Sequence, residues 1–283
     1  MGLKNMNGFM AVGIAMIGMT FASSRAYGFD TEAGLRAFRQ GEYREAVKLW
    51  KEGVDKGDAN AEYNLGVLYM SGMGVDKNLD EAFRLFQLAA SHGHAQAEFR
   101  LGQMREKGWG QAPNYGEAQK WYQLAADAGN PEAAQSLAYL FEEGFGQEPD
   151  LKRAVARYRQ ASEQGLPEAQ YRLAMLIEHG QGASKDDTEA AKWYTASAEQ
   201  GYAAAEQRLG ELYVAGKGVP QDNKQAYLWL TLATKQDLRE AEKQRDQLLK
   251  QKKLSFEEVS KLEVEAGKWK PKMSAAKNPA IIQ

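Results

Sequence analysis

The stretch ANAEYNLGVLYMSGMGVDKNLDEAFRLFQLAASHG, residues 59–93, decides the fold because its pattern returns every 36 residues. One column of the pattern is glycine: Gly57, Gly93, Gly129, Gly165 and Gly201. A second is alanine: Ala61, Ala97, Ala133, Ala169 and Ala205. A third is leucine: Leu65, Leu101, Leu137, Leu173 and Leu209. A fixed period of this length is typical of a repeat protein, in which each repeat packs on the next.

Each repeat divides into two helices, A and B. Ala61, Leu65 and Leu68 have the spacing of one apolar stripe, which predicts helix A. Gly72 and Gly74 can take the left-handed conformation that ends a helix and reverses the chain. A residue type that caps helices then opens helix B: Asn78, Asn114, Asp150, Asp186 and Asp222. In four repeats a Glu or Gln follows three residues later and predicts a capping box: Glu81, Glu117, Glu189 and Gln225.

Small and aromatic residues predict how the helices pack. The position after the stripe leucine is always small: Gly66, Gly102, Ala138, Ala174 and Gly210. We expect a second backbone to approach helix A there. One helix pair cannot bury its apolar stripe alone, so the pairs must stack. The sequence therefore predicts an all-α fold, a right-handed α-solenoid of about seven antiparallel helix pairs without strands.

The chain ends depart from the repeat and predict further segments. Residues 27–58 are predicted to form an N-terminal helix pair of the tetratricopeptide type, with a short loop at Gly41. Residues 59–238 hold the five complete repeats, and residues 239–270 hold capping helices, in which Ser255 and Glu258 have capping-box spacing. Residues 271–283 are predicted to be a flexible tail.

The first 26 residues are predicted to be an export signal. Lys4 precedes an apolar run from Phe9 to Phe21, which is shorter than a membrane span, and small residues follow. We expect cleavage after Ala26 and a periplasmic or secreted protein; an uncleaved anchor is the alternative.

Composition limits the chemistry. The chain has no cysteine, which excludes disulfides, thiolate metal sites and cysteine nucleophiles. Lys and Arg number 36 against 38 Asp and Glu, a balance that argues against nucleic acid as a partner. His92 and His94 lack a third metal ligand in the pattern, and His179 next to Glu178 lacks a nucleophile to assist. We therefore predict no catalytic residue, no metal and no cofactor.

The unit A-x-A-x-x-x-L-G-x-x-Y-x-x-G-x-G-V, with Asn or Asp opening helix B and A-A-x-x-G closing it, resembles the Sel1-like repeat. The resemblance covers five units from Ala59 to Leu238. It implies an exported bacterial scaffold or adaptor that binds another protein or peptide on a concave surface. Envelope signalling, secretion or host contact is the implied setting, with an envelope or membrane protein as partner.

Two other functions stay open from the sequence. One branch of the family is linked to binding or hydrolysis of β-lactams or peptidoglycan, although its repeats carry paired cysteines that this chain lacks. A cell-wall carbohydrate-binding module is the other alternative. A further branch holds periplasmic proteins that restrain a membrane sensor kinase, and the signal segment, length and cysteine-free repeats fit it.

The face of helix A opposite Leu65 is the predicted binding surface. Counting about 100° per residue places positions 63, 67 and 70 away from the buried stripe. The predicted partner-binding residues are Tyr63, Val67, Met70, Phe99, Glu106, Tyr139, Glu142, Tyr171, Met175 and Glu178. Exposed rings and methionines are costly unless a partner covers them, and the acidic row beside them suits a basic peptide flank. The alternative is that the rings pack between adjacent A helices.

Overall fold

The structure of the protein, a computed structural model, describes residues 31–272. The predicted signal segment, residues 1–26, and the tail from residue 273 onward lie outside the described residues. Within them fourteen α-helices follow one another without a strand. Their bounds are α1 Thr31–Arg39, α2 Tyr43–Val54, α3 Ala59–Ser71, α4 Leu79–Ser91, α5 Ala95–Lys107, α6 Tyr115–Asp127, α7 Pro131–Glu143, α8 Leu151–Glu163, α9 Pro167–His179, α10 Asp187–Ala198, α11 Ala203–Ala215, α12 Asn223–Thr234, α13 Arg239–Lys250 and α14 Phe256–Lys268.

Residues 31–272 form the predicted all-α solenoid. The chain divides into two segments, residues 31–98 and residues 99–272, which we call the N-terminal and C-terminal segments. Inside each segment a helix packs mainly on the helices next to it in sequence, as a solenoid requires, except that α14 packs on α12. None of the helices between residues 31 and 272 has the length and apolarity needed to cross a membrane.

Capping residues set the helix ends largely as predicted. Each of the five residues that open helix B accepts a hydrogen bond from a backbone N–H of the first turn. The capping box at Ser255 and Glu258 is present. At helix B the glutamates pair differently from the prediction, since Glu81 bonds Arg84, and Glu189 bonds Arg159. Arginine is the stronger partner for a carboxylate, so these starts keep half of the capping box.

The column of small residues at position 66 faces a helix B side chain first, and the expected second backbone comes close at Gly210. A Cβ added to Gly102 would overlap the ring of Tyr122, and one added to Gly210 would lie 2.7 Å from Leu230 and 3.3 Å from the backbone carbonyl of Ala226. The helix B side chain thus lies flat across helix A, with its far end beside the last turn of that helix. Because it reaches the last turn of helix A, the helix B side chain can contact the predicted binding residues there.

Pro271 and Lys272, the first two residues of the predicted tail, contact the rest of the C-terminal segment. The backbone N–H of Lys272 donates to the carbonyl of Glu199 at 2.8 Å, and Pro271 lies beside Gly201. The anchored chain therefore extends two residues further than the sequence predicted.

Candidate partner-binding surface

In the N-terminal segment, two of the three predicted binding residues lie in the core. Tyr63 is completely buried and Val67 is 7% exposed, while Met70 is half-buried. The ring of Tyr63 stacks on His94 with centroids 4.7 Å apart, and burial lowers the pKa of that histidine to about 4. The prediction that Tyr63 and Val67 are open to a partner is wrong, because helix A has neighbours on the side that the angular count assigned to solvent.

Phe99, in the C-terminal segment, is also buried. Only 7% of it is exposed, and its ring lies against Tyr122 of α6 with centroids 5.7 Å apart. The alternative placed such rings between adjacent A helices; Phe99 and Tyr63 are buried, but their ring contacts include Tyr122 and Phe86 of helix B. Neither side chain can reach a partner without opening the fold.

The three predicted acidic residues are held by tyrosines of helix B. Each carboxylate accepts a hydrogen bond from the tyrosine hydroxyl 16 residues later in the chain. The pairs are Tyr122 with Glu106 at 2.6 Å, Tyr158 with Glu142 at 2.7 Å, and Tyr194 with Glu178 at 2.9 Å. We call these six residues the tyrosine–glutamate network. Its carboxylates are not an open acidic row for a basic peptide flank, which corrects that part of the prediction.

Glu178 is the most enclosed member of the network. Its side chain is 2% exposed and bonds Arg208 and Lys217 in addition to Tyr194. Burial alone would raise the pKa of Glu178, but hydrogen bonds from Arg208, Lys217 and Tyr194 outweigh it and lower the pKa to about 2. Glu178 is therefore ionised at neutral pH, and its hydrogen bonds hold the C-terminal end of α9 to the following repeat.

Tyr139 is the predicted residue that stays most open. It is 39% exposed, and its ring centroid lies 5.9 Å from that of Phe145. Phe145 in turn stacks on Tyr115, with centroids 4.9 Å apart and planes 21° apart. We call these three residues the aromatic cluster. It joins the last turns of α7 to the first residue of α6 through the loop after α7.

The loop geometry fixes the aromatic cluster. Phe145 stands between Gly144 and Gly146, both of which have positive φ angles that a side chain would strain. A Cβ at Gly146 would also lie 3.0 Å from the Cβ of Tyr115. The carbonyl of Phe145 accepts a hydrogen bond from Gln119 at 2.8 Å. The cluster is thus a fixed surface.

Sequence reasoning missed Tyr115 and Phe145. It treated the G-x-G loops as turns alone and examined only helix A for partner contacts. The available signal was an aromatic residue between the two loop glycines, which also occurs at Trp109, 40% exposed. A large ring at a turn position that needs no side chain indicates a role outside the turn.

Tyr171 and Met175 of α9 are half-buried, and Tyr171 has ring neighbours from two elements. Its centroid lies 5.3 Å from that of Tyr202 and 5.7 Å from that of Tyr194. Burial raises the pKa of both Tyr171 and Tyr202. Part of each side chain packs inside the fold, and the exposed part of Tyr171 and Met175 can contact a partner.

The histidines take structural positions. His92 lies 2.9 Å from a carboxylate oxygen of the buried Glu62, and Nδ1 of His179 lies 2.8 Å from the carbonyl of Met175. Across residues 31–272 no group of three His, Asp or Glu side chains is arranged to hold a metal ion.

Comparison with known proteins gives one family. Five consecutive segments match the Sel1 repeat: residues 59–94, 95–130, 131–166, 167–202 and 203–238. The chain is similar to a Sel1 repeat protein of Oxalobacter formigenes, with 32% identity over 73% of this chain and 85% of that one, and a TM-score of 0.69. It shares its fold with c5321, a protective antigen of uropathogenic Escherichia coli strains, at 24% identity over 91% of this chain and 67% of that one, with a TM-score of 0.51. No curated protein matches the chain.

Proposed function

This chain belongs to the Sel1 repeat family, and we propose that it is a scaffold that binds a partner protein through the aromatic cluster of its C-terminal segment. Tyr115, Tyr139 and Phe145 form the contact, and Tyr171 with Met175 extends it. The observation that carries the proposal is the 39% exposure of Tyr139, whose ring lies against the loop residue Phe145, which in turn stacks on Tyr115. A fixed aromatic surface gains contact area on binding and loses little side-chain entropy.

The contrast with the other predicted rings supports this choice. Tyr63 and Phe99 come from the same face of helix A in their repeats, and both are at most 7% exposed. The fold itself buries these two rings, so they need no partner to cover them. At Tyr139 the fold leaves the ring partly open, and Sel1 repeats commonly serve protein–protein interaction.

We further propose that the protein acts outside the cytoplasm, in envelope signalling or secretion, with an envelope or membrane protein as partner. The apolar run Phe9 to Phe21 and the small residues before Ala26 support this. N-terminal sequencing of the fractionated protein tests it, and a cytosolic chain that retains Met1 would contradict it.

The β-lactam or peptidoglycan enzyme and the wall-binding module remain separate alternatives. The carboxylates of the tyrosine–glutamate network are held in hydrogen bonds, and only 2% of the Glu178 side chain is exposed. Turnover of nitrocefin or solubilisation of purified wall would favour the enzyme, and co-sedimentation with wall would favour the module.

The binding proposal is tested with Tyr139→Ala in the full chain. A partner isolated with the parent protein from envelope extract is titrated against the parent and the variant. Loss of an exposed anchor ring should weaken its affinity by about 1–3 kcal/mol while the melting temperature changes little. Phe99→Ala is the matched control, since loss of a buried ring should lower stability by about 3–5 kcal/mol. Parental affinity in Tyr139→Ala would remove the aromatic cluster from consideration.

A further inference from the structure

Helix α8 differs in charge from the other B helices of the C-terminal segment. It carries Lys152, Arg153, Arg157 and Arg159 against one acid, Glu163, a net charge of +3. The corresponding net charges are −1 for α6, −1 for α10 and +1 for α12. The repeat does not require this positive charge, because α6 and α10, the B helices of the two adjacent repeats, each have a net charge of −1.

Two arginines of α8 stand where the other repeats have different residues. At the position of Arg153 the first, second and fourth repeats have Glu81, Glu117 and Glu189. At the position of Arg157 the second, fourth and fifth repeats have Trp121, Trp193 and Trp229. Natural proteins break local sequence rules most often at functional or strained sites.

These arginines line a surface cavity of about 280 Å³. Its other lining residues are Gln123, Phe141 and Ala156. The guanidinium carbon of Arg153 lies 4.0 Å from the centre of the Phe141 ring, a cation–π contact that fixes its plane. The cavity therefore has an apolar floor and two charged lining residues, both of them cations.

Each guanidinium uses part of its donor set inside the fold. Arg153 bonds Asp150 at 3.2 Å and Gln147 at 2.9 Å, and Arg157 bonds Asp127 at 2.9 Å. These acids lie outside the cavity lining and hold the arginines in place. Nη1 of Arg157 also donates to Gln160 at 2.7 Å, and within residues 31–272 no hydrogen bond uses Nη1 of Arg153 or Nη2 of Arg157. Four residues apart on one helix, the two side chains lie on the same face.

We propose that this cavity, defined by Arg153, Arg157 and Phe141, is a second binding site that takes a glutamate side chain from an acidic segment of a partner protein. A carboxylate accepts two parallel N–H bonds from a guanidinium. The two methylene groups of glutamate suit the exposed Ala156 and the edge of Phe141, of which 5% is exposed, and a bare phosphate would leave this apolar surface uncovered. The site is lined by α6, α7 and α8, and none of its lining residues belongs to the aromatic cluster.

The test is fluorescence anisotropy with a labelled peptide of eight glutamates and, as neutral control, a peptide of eight glutamines. The double variant Arg153→Glu and Arg157→Trp restores residues that neighbouring repeats tolerate, so it should fold. We expect it to weaken binding of the glutamate peptide by about tenfold or more. Arg159→Gln removes a charge from the same helix outside the cavity, and we expect a change of about twofold or less.

Several results would overturn the proposal. Equal weakening by Arg159→Gln would assign binding to the general charge of α8, and equal binding of the glutamine peptide would remove the role of the carboxylate. Full competition by millimolar inorganic phosphate, or binding to vesicles of anionic lipid without binding to the peptide, would assign the site to another ligand. Tyr139→Ala should keep parental peptide affinity, which separates failure at this cavity from failure at the aromatic cluster.

Discussion

The fourth repeat, residues 167–202, and the fifth, residues 203–238, share their helices and period but bury their charges in different places. In the fourth, Glu178 near the end of helix A is enclosed by hydrogen bonds, and Gln170 near its start bonds Gln200 as a neutral pair. In the fifth, Val214 replaces that glutamate and the buried carboxylate is Glu206 near the start. The period thus sets where side chains go but not which polar groups they carry.

The tyrosine–glutamate network shows what limits the variation. In the second, third and fourth repeats helix B presents a tyrosine at this position, and the penultimate residue of helix A, 16 residues earlier, is a glutamate. In the fifth the pair is Val214 with Leu230, and in the first it is Met70 with Phe86. A buried hydroxyl needs an acceptor, so the two positions are polar together or apolar together.

The largest expected effect comes from removing the carboxylate of the fourth repeat. Glu178→Ala leaves Arg208, Lys217 and Tyr194 without their shared acceptor, and we expect the free energy of unfolding to fall by about 3–5 kcal/mol. Because the pKa of Glu178 is about 2 in the fold and 4.5 without it, this contribution is present above pH 4.5 and is lost as the pH falls toward 2. Urea titrations at pH 7 and pH 3 measure it.

Val214→Ala is the matched control in the fifth repeat. That side chain is 36% exposed, so its loss should cost about 1 kcal/mol or less. If both variants lost a similar free energy of unfolding, the hydrogen bonds of Glu178 would add no stability beyond ordinary side-chain packing.

The second largest expected effect is a gain in stability from Glu206→Gln. This change pairs two neutral amides, at positions 206 and 236, as Gln170 and Gln200 are paired in the fourth repeat. Burial raises the pKa of Glu206 to about 7, although Gln236 and Lys235 lower it in part. The carboxyl group is uncharged in the fold below that value, so its penalty appears as the pH rises from about 4.5 to 7. At pH 8 the variant should be more stable by about 2–3 kcal/mol, and at pH 4 it should match the parent.

Thermal or urea unfolding of both proteins across pH 4–8 measures the second effect. Gln170→Glu is the reverse exchange and should introduce the same pH dependence into the fourth repeat. Parallel pH curves for parent and Glu206→Gln would contradict the assignment.

The smallest expected effect on stability comes from removing one hydroxyl group. Tyr194→Phe removes one of several donors to Glu178 and keeps the ring, so we expect a loss of about 1 kcal/mol in unfolding free energy. Tyr139→Phe is the control on an exposed ring and should change stability by less than about 0.5 kcal/mol. If the two variants melt alike, the hydroxyl of Tyr194 adds no stability.

The sequence predicted the solenoid well because its evidence was repeated five times. The spacing of Leu65 and its copies, the caps from Asn78 to Asp222 and the loop glycines each depend on local geometry that one repeat contains in full. The exposed or buried state of one face was harder to predict. Tyr63 and Tyr139 lie on the same face of helix A, yet one is completely buried and the other 39% exposed.

The 36-residue period, helix ends and absence of thiol chemistry were determined by the sequence alone, since they depend on neighbours along the chain or on composition. Only the tertiary structure decided that Glu178 is enclosed, that Phe145 joins Tyr115 and Tyr139, and that Arg153 and Arg157 share a cavity with Phe141. Those contacts join residues of different helices and loops. Angular position on one helix cannot report them, because burial depends on what the next helices bring to the same place.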